Sequence, residues 1–230
     1  MENEGMFRGK VSKMVPGKLL IETTGYNDLE YLTEGVGDRS SKKYFIKGAY
    51  MQANVKNRNG RIYPREIMER EVNRYYKEFV LTKRAVNALD HPQNSTQLFE
   101  NACHLIEDLK MDGDAVIGVS RIMDTPSGRI AKTLMDEGVQ LAISSRAVGS
   151  LGPDNVVGDN FHLLGFDIVV SPSVSTAFVE SIVENQQYIV DGDKLVAINM
   201  EQFNKNLSKN GTRNLYNDLN KFLTSLSRKI

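Results

Sequence analysis

The sequence predicts an α+β domain. Three observations carry that expectation. Residues 101–123 have the form of a β-hairpin, with ACHLIEDLKM and AVIGVSRIM on either side of an Asp112-Gly113-Asp114 turn. The runs 44–53 and 161–170 have the length and the apolar, β-branched and aromatic content of strands. Between them, Ile67, Met68, Val72, Tyr75, Tyr76 and Phe79 recur at helical spacing behind Pro64, a residue suited to a first helical turn.

The remaining elements follow in order. Lys18–Glu22 reads as a short strand, and 24–43 as a polar loop punctuated by glycine. After the strand 44–53, Asn57–Arg61 is a turn, tightest at Asn59-Gly60. Tyr75 and Tyr76 either pack in the core or stack on a ring. Ala88–Pro92 is a strand end or loop stopped by proline. A short helix is expected from Ser127 to the glycine stop at Gly138. The Ser144 strand, a polar loop at 151–160 and the strand 161–170 complete this part, with Pro172 as terminator. Beyond residue 185 the composition shifts. Residues 199–230 carry six cations against two anions. Leu215, Leu219, Phe222, Leu223 and Leu226 outline an amphipathic helix there, separated by Gly211 from a preceding one at 199–209. Such a tail either docks on a partner or packs back on the body. No internal repeat is present.

Composition bounds the function. At 230 residues the chain suffices for one well-packed domain plus tails. Lys and Arg total 29, equal to Asp and Glu, which argues against a broad electrostatic grip on nucleic acid. The single cysteine, Cys103, excludes an internal disulfide and points to a reducing compartment; its apolar setting suits a buried, inert thiol. No apolar run approaches 18 residues, and the start lacks the order of a signal peptide, so an intracellular, soluble protein is expected.

The chemically suggestive stretch is Leu141-Ala-Ile-Ser-Ser-Arg-Ala-Val-Gly-Ser150, two serines and a cation behind an apolar run. A serine nucleophile needs a base to take its proton, and that base needs an acceptor to fix its tautomer. Only three histidines are available. His91, in a polar loop beside Asp90 and Pro92, is the best base; His104 and His162 lie on strands and read as structural. Asp167 interrupts the otherwise apolar Leu-Leu-Gly-Phe-Asp-Ile-Val-Val run, and a carboxylate there is costly unless paired. Asp90, Glu107 and Asp108 are its rivals. Strand alternation puts Ser145 on the face of Leu141 and Ile143, and Ser144 on the face of Arg146, which favours Ser144 as nucleophile. Arg146, with Ser145, would support the oxyanion; otherwise Arg146 pairs with a surface carboxylate. A metal site is not supported, since the histidines are unpaired and neither CxxC nor HExxH occurs. The GxSxG elbow of an α/β-hydrolase esterase is also missing.

Five blocks, GAYMQANVKNRNGRIYP, VLTKRAVNALDHP, LIEDLKMDGDAVIG, AISSRAVGSL and GFDIVVSPS, resemble in the same order the prohead core proteases of myovirus-type tailed phages. The resemblance covers roughly residues 44–180. It places the family's histidine at His91, its nucleophile at Ser144, and the third member at Asp167, in a clan that includes the herpesvirus assemblins. It implies a serine endopeptidase folded as a mainly antiparallel β-barrel of the assemblin type with flanking helices, using no cofactor. The expected partners are the scaffold, internal and major capsid proteins of the prohead, cut after glutamate in Leu-x-Glu or Ile-x-Glu motifs. No membrane and no specific nucleic acid are implied, and a homo-oligomer is.

The setting implied is the host cytoplasm, inside the immature capsid. Such enzymes are made as zymogens. Leu32-Thr-Glu-Gly35, in the expected exposed loop, and Ile182-Val-Glu-Asn185 fit the cleavage pattern, giving autocleavage at Glu34 and Glu184. The chain then divides into an N-terminal segment 1–43 with a propeptide to about 34, a protease domain 44–184, and a basic amphipathic helical appendage 185–230. The alternative reading is a non-catalytic prohead core or scaffold component that acts by binding.

Overall fold

A computed structural model describes residues 16–24, 29–35, 42–91, 99–170, 187–191 and 194–198. In chain order the elements are β1 (Pro16–Thr23), β2 (Leu29–Glu34), β3 (Lys43–Gln52), α1 (Arg65–Tyr75), β4 (Val86–Ala88), β5 (Ala102–Asp112), β6 (Ala115–Ile122), α2 (Pro126–Asp136), β7 (Leu141–Gly149), β8 (His162–Val170), β9 (Gln187–Asp191) and β10 (Lys194–Ile198). They build two five-stranded antiparallel sheets, ordered β10-β9-β1-β7-β8 and β2-β3-β6-β5-β4. The architecture is α+β, and no closed barrel is present among the described residues.

The expected elements form, with three differences. The loop assigned to 24–43 contains β2, which runs along β3 from Leu29↔Gly48 to Glu34↔Lys43. It is an edge strand with only Leu29 buried, so the alternation that betrays a half-buried strand is missing. Glu34 is therefore the exposed last residue of a strand, not a loop residue. The second difference is at α2, which begins at Pro126 rather than Ser127. The Thr125 hydroxyl accepts from the Gly128 N–H at 3.1 Å and donates to the Ala102 carbonyl, capping the helix and tying it to β5.

The third difference concerns the chain ends. β1 belongs to the segment set apart as 1–43, yet it pairs with β7 over six residues, from Lys18↔Gly149 to Thr23↔Ser144. β9 and β10 fall in the stretch assigned to the appendage and extend the same sheet from Pro16 and Gly17. The expected helices at 199–230, the tail's docking and Glu184 lie outside the described residues. No helix among the described residues is long and apolar enough to cross a membrane.

One core joins the sheets to α1. Tyr50, Tyr75 and Phe166 meet at its centre, with ring centroids 5.4 Å apart for Tyr50–Phe166 and 6.2 Å for Tyr75–Phe166. Tyr75 and Tyr76 thus pack against the core. The Tyr50 hydroxyl is satisfied by donating to Ser120 Oγ at 2.7 Å. Gly118 makes room for that ring; a Cβ there would lie 2.4 Å from Tyr50 Cε2. α1 continues through a π turn over Tyr76–Val80 and is fastened to β8 by Glu71, which accepts from the Leu163 N–H at 3.2 Å and from Arg74 Nε at 2.9 Å. His162 Nδ1 stands 3.4 Å from Glu71, a structural role. Cys103 is a buried thiol pushed up to about 12 by burial, with the Asp167 charge adding to it.

His104 is fully buried in β5. Among the described residues neither ring nitrogen finds a well-formed hydrogen bond, although the Phe166 backbone comes near. Burial lowers its pKa to about 4, and the Asp167 charge offsets only part of that. An unfolded imidazole titrates near 6.5, so this contribution to stability is complete above pH 6.5 and is lost as the pH falls towards 4. The loss is on the order of 3 kcal/mol. Denaturant titrations from pH 7 to 4.5 should show it, and a His104→Leu variant should show a shallower decline; equal slopes would refute the assignment.

Candidate active site

The site is built on β7 and β8. β7 is buried along its whole length, so each polar group it carries needs a partner. Ser144 and Asp167 are directly opposed in the β7–β8 register, and Thr23 opposes Ser144 from the β1 side. Side chains of directly opposed residues share one face of a sheet. Thr23, Ser144 and Asp167 therefore form a rank across three adjacent strands.

His91 reaches this rank from the end of β4. Leu89 makes a parallel bridge to Ile168, and the Asp90 N–H donates to the Ile168 carbonyl at 2.8 Å. Asp90 has φ 61, a left-handed conformation that asparagine and aspartate tolerate best, and it turns the chain so that the next side chain faces β8. Asp90 thus serves as the turn residue and not as the acid.

The three predicted residues meet. His91 Nε2 lies 2.9 Å from Ser144 Oγ, and His91 Nδ1 lies 2.8 Å from Asp167 Oδ2. Ser144 and Asp167 are fully buried, while the His91 ring keeps about a fifth of its surface exposed. Asp167 Oδ1 also accepts from the Ala88 N–H at 3.2 Å. Burial pushes the Asp167 carboxyl upward, but the His91 hydrogen bond and the Arg146 guanidinium outweigh it and hold the group below the ordinary carboxylate range. An ionised Asp167 only accepts, so His91 donates Nδ1–H to it and leaves Nε2 free to accept the Ser144 proton.

Arg146 departs from its expected place. Alternation does put it on the Ser144 face, but its guanidinium clasps Asp167. Nε donates to Oδ2, and Nη2 donates to Oδ1 at 3.3 Å. Both groups are buried, and a buried carboxylate is the strongest available attraction for a buried guanidinium. The contact observed is to the buried acid and not to a surface carboxylate. Ser145 also stands apart: among the described residues its buried Oγ has no hydrogen-bond partner, and it does not join the cluster.

Asn87 was not anticipated. Its Oδ1 accepts from the Phe166 N–H at 3.0 Å, bracing β8 beside Asp167. Gly165 permits that approach, since a Cβ there would lie 2.3 Å from Asn87 Oδ1. The β7–β8 register slips next to this glycine. Thr23 was missed as well. Its hydroxyl donates to Ser144 Oγ at 3.0 Å from 121 residues away in sequence. Among the described residues no group of acidic, histidine or cysteine side chains is arranged to hold a metal ion.

Such an arrangement can pass a proton from a hydroxyl to an imidazole whose charged form is stabilised by a buried carboxylate. Comparison with known proteins gives the chain's family. The family described as prohead core protein serine protease matches residues 11–187. The prohead core protein protease of Enterobacteria phage T4 is 36% identical over 152 residues, covering 62% of this chain and 71% of the relative. The solved structure of the bacteriophage T4 capsid assembly protease superposes with a TM-score of 0.59 at 32% identity, covering 68% of this chain and 99% of that one.

Proposed function

Because the chain belongs to the prohead core protein serine protease family, we propose that it is a serine endopeptidase that matures phage heads with Ser144, His91 and Asp167. The observation that carries this reading is the unbroken chain of contacts from Ser144 Oγ through the His91 ring to Asp167, at 2.9 and 2.8 Å. His91 takes the Ser144 proton as Oγ bonds the scissile carbonyl carbon, and returns it to the departing amine. Water then enters by the same route and releases the acyl group from Ser144. The His91 hydrogen bond and Arg146 together keep Asp167 ionised in spite of its burial, so the acid is ready when the imidazolium forms.

The substrates on this reading are scaffold, internal and major capsid proteins, cut after glutamate inside the immature capsid in the host cytoplasm, by a homo-oligomer. Ser144 is fully buried. That burial suits a zymogen activated by its own cleavage after Glu34 and Glu184. Glu34 is exposed on an edge strand, already in the extended form that a protease binds. The same reading takes the two sheets as halves of an assemblin-type barrel. The Leu89–Ile168 bridge and the Tyr31 hydroxyl donating to the Leu141 carbonyl both support it.

Mass spectrometry of the expressed full-length chain tests this. New termini at Gly35 and Asn185 are expected, with Glu34→Gln suppressing the first. A Leu-x-Glu peptide should be cut at least about tenfold faster than its Leu-x-Gln counterpart. Persistently intact protein and uncut peptide would count against the reading.

A further inference from the structure

We propose that Thr23 is a positioning residue for the Ser144 nucleophile, so that strand β1 belongs to the catalytic apparatus. The inference rests on the reading of Ser144 as nucleophile. A serine hydroxyl has one proton and two lone pairs. The proton is directed at His91 Nε2, and the Thr23 hydroxyl fills one lone pair at 3.0 Å. The remaining lone pair is the one left for the scissile carbonyl. Without the Thr23 donor, the Ser144 side chain has only the His91 contact to choose among its staggered rotamers.

The donor itself is held from both sides. Thr24, the next residue, gives both its N–H and its hydroxyl to the Ile143 carbonyl, each at 2.9 Å, locking the end of β1 to the nucleophile strand. The preceding residue, Glu22, is buried and gripped by Tyr63 at 2.7 Å, Asn59 at 2.6 Å and Arg61 at 3.0 Å. Two clamps flanking one hydroxyl make Thr23 a fixed donor. Its proton also faces the oxygen that must leave when water attacks the acyl-enzyme, where negative charge develops on Oγ.

The test uses the full-length chain and a Leu-x-Glu peptide. Thr23→Val keeps the shape and the β-branching while removing the donor. Its kcat should fall about tenfold to a hundredfold without a rise in KM, the signature of a lost contact to the reacting atom rather than to substrate. Thr23→Ser should restore kcat to within about threefold, with the melting temperature of both variants close to wild type. Thr23→Ala replaces the valine variant should that one not fold. Wild-type kcat in Thr23→Val, or an equal loss in Thr23→Ser, overturns the proposal. Activity that survives Ser144→Ala would instead overturn the reading of the site on which it rests.

Discussion

Replacing Ser144 by alanine should abolish cleavage, lowering kcat by about 10⁶-fold, the scale seen when a triad serine is removed. The change deletes one buried oxygen and leaves His91 Nε2 and the Thr23 hydroxyl facing each other across the gap. The fold should tolerate it, since the strand keeps its pairing with both β1 and β8. The measurement is twofold: cleavage of a Leu-x-Glu peptide, and the mass of the variant's own chain, which should remain whole. Processing at the wild-type rate would sink the enzymatic reading and favour the alternative, a non-catalytic core or scaffold component that works by binding.

Asp167→Asn should be damaging in a different way. An amide can offer its N–H to His91 Nδ1, which stabilises the wrong tautomer and puts the proton on Nε2, where the serine needs an acceptor. A loss of about 10⁴-fold in kcat is the expected scale. The substitution also strips Arg146 of its counter-charge while leaving it buried. Breaking a buried pair from one side costs roughly 3–5 kcal/mol. The two effects separate in a double variant. Asp167→Asn with Arg146→Met should recover much of the stability in denaturant titration and none of the activity. Asp167→Asn that retains kcat within about tenfold would remove the acid from the mechanism.

Much of the site was legible because each residue violated its local pattern. Asp167 was visible as a charge inside an apolar strand, and His91 as a polar histidine before a proline. Alternation favoured Ser144 over Ser145, as the family resemblance did, and it is Ser144 that lies beside His91. The unread parts have a common physical cause. A hydroxyl such as that of Thr23 is acceptable at any strand end, so nothing local marks its contact across 121 residues. Arg146 was placed on the correct face, but its partner Asp167 lies on the neighbouring strand, and no local pattern in the sequence reports which strands pair. β2 hid because an edge strand with one buried residue has no alternation to show. β1 and β9 join the body by pairing that sequence composition does not report.

The position of β1 bears on what a cut after Glu34 would produce. The strand lies before that bond in sequence, but it sits between β7 and β9 in space. Hydrolysis there would create a nicked, two-piece protein and not a shortened one. The smaller piece would stay in place through six residues of pairing with β7 and the buried Leu20 and Glu22. Retention of a non-covalent piece depends on its local concentration. If the chain acts inside a closed shell, as proposed, that concentration would stay high there and fall on dilution into bulk solution. Catalytic competence would then be a property of confinement, fading once the two pieces are free to part.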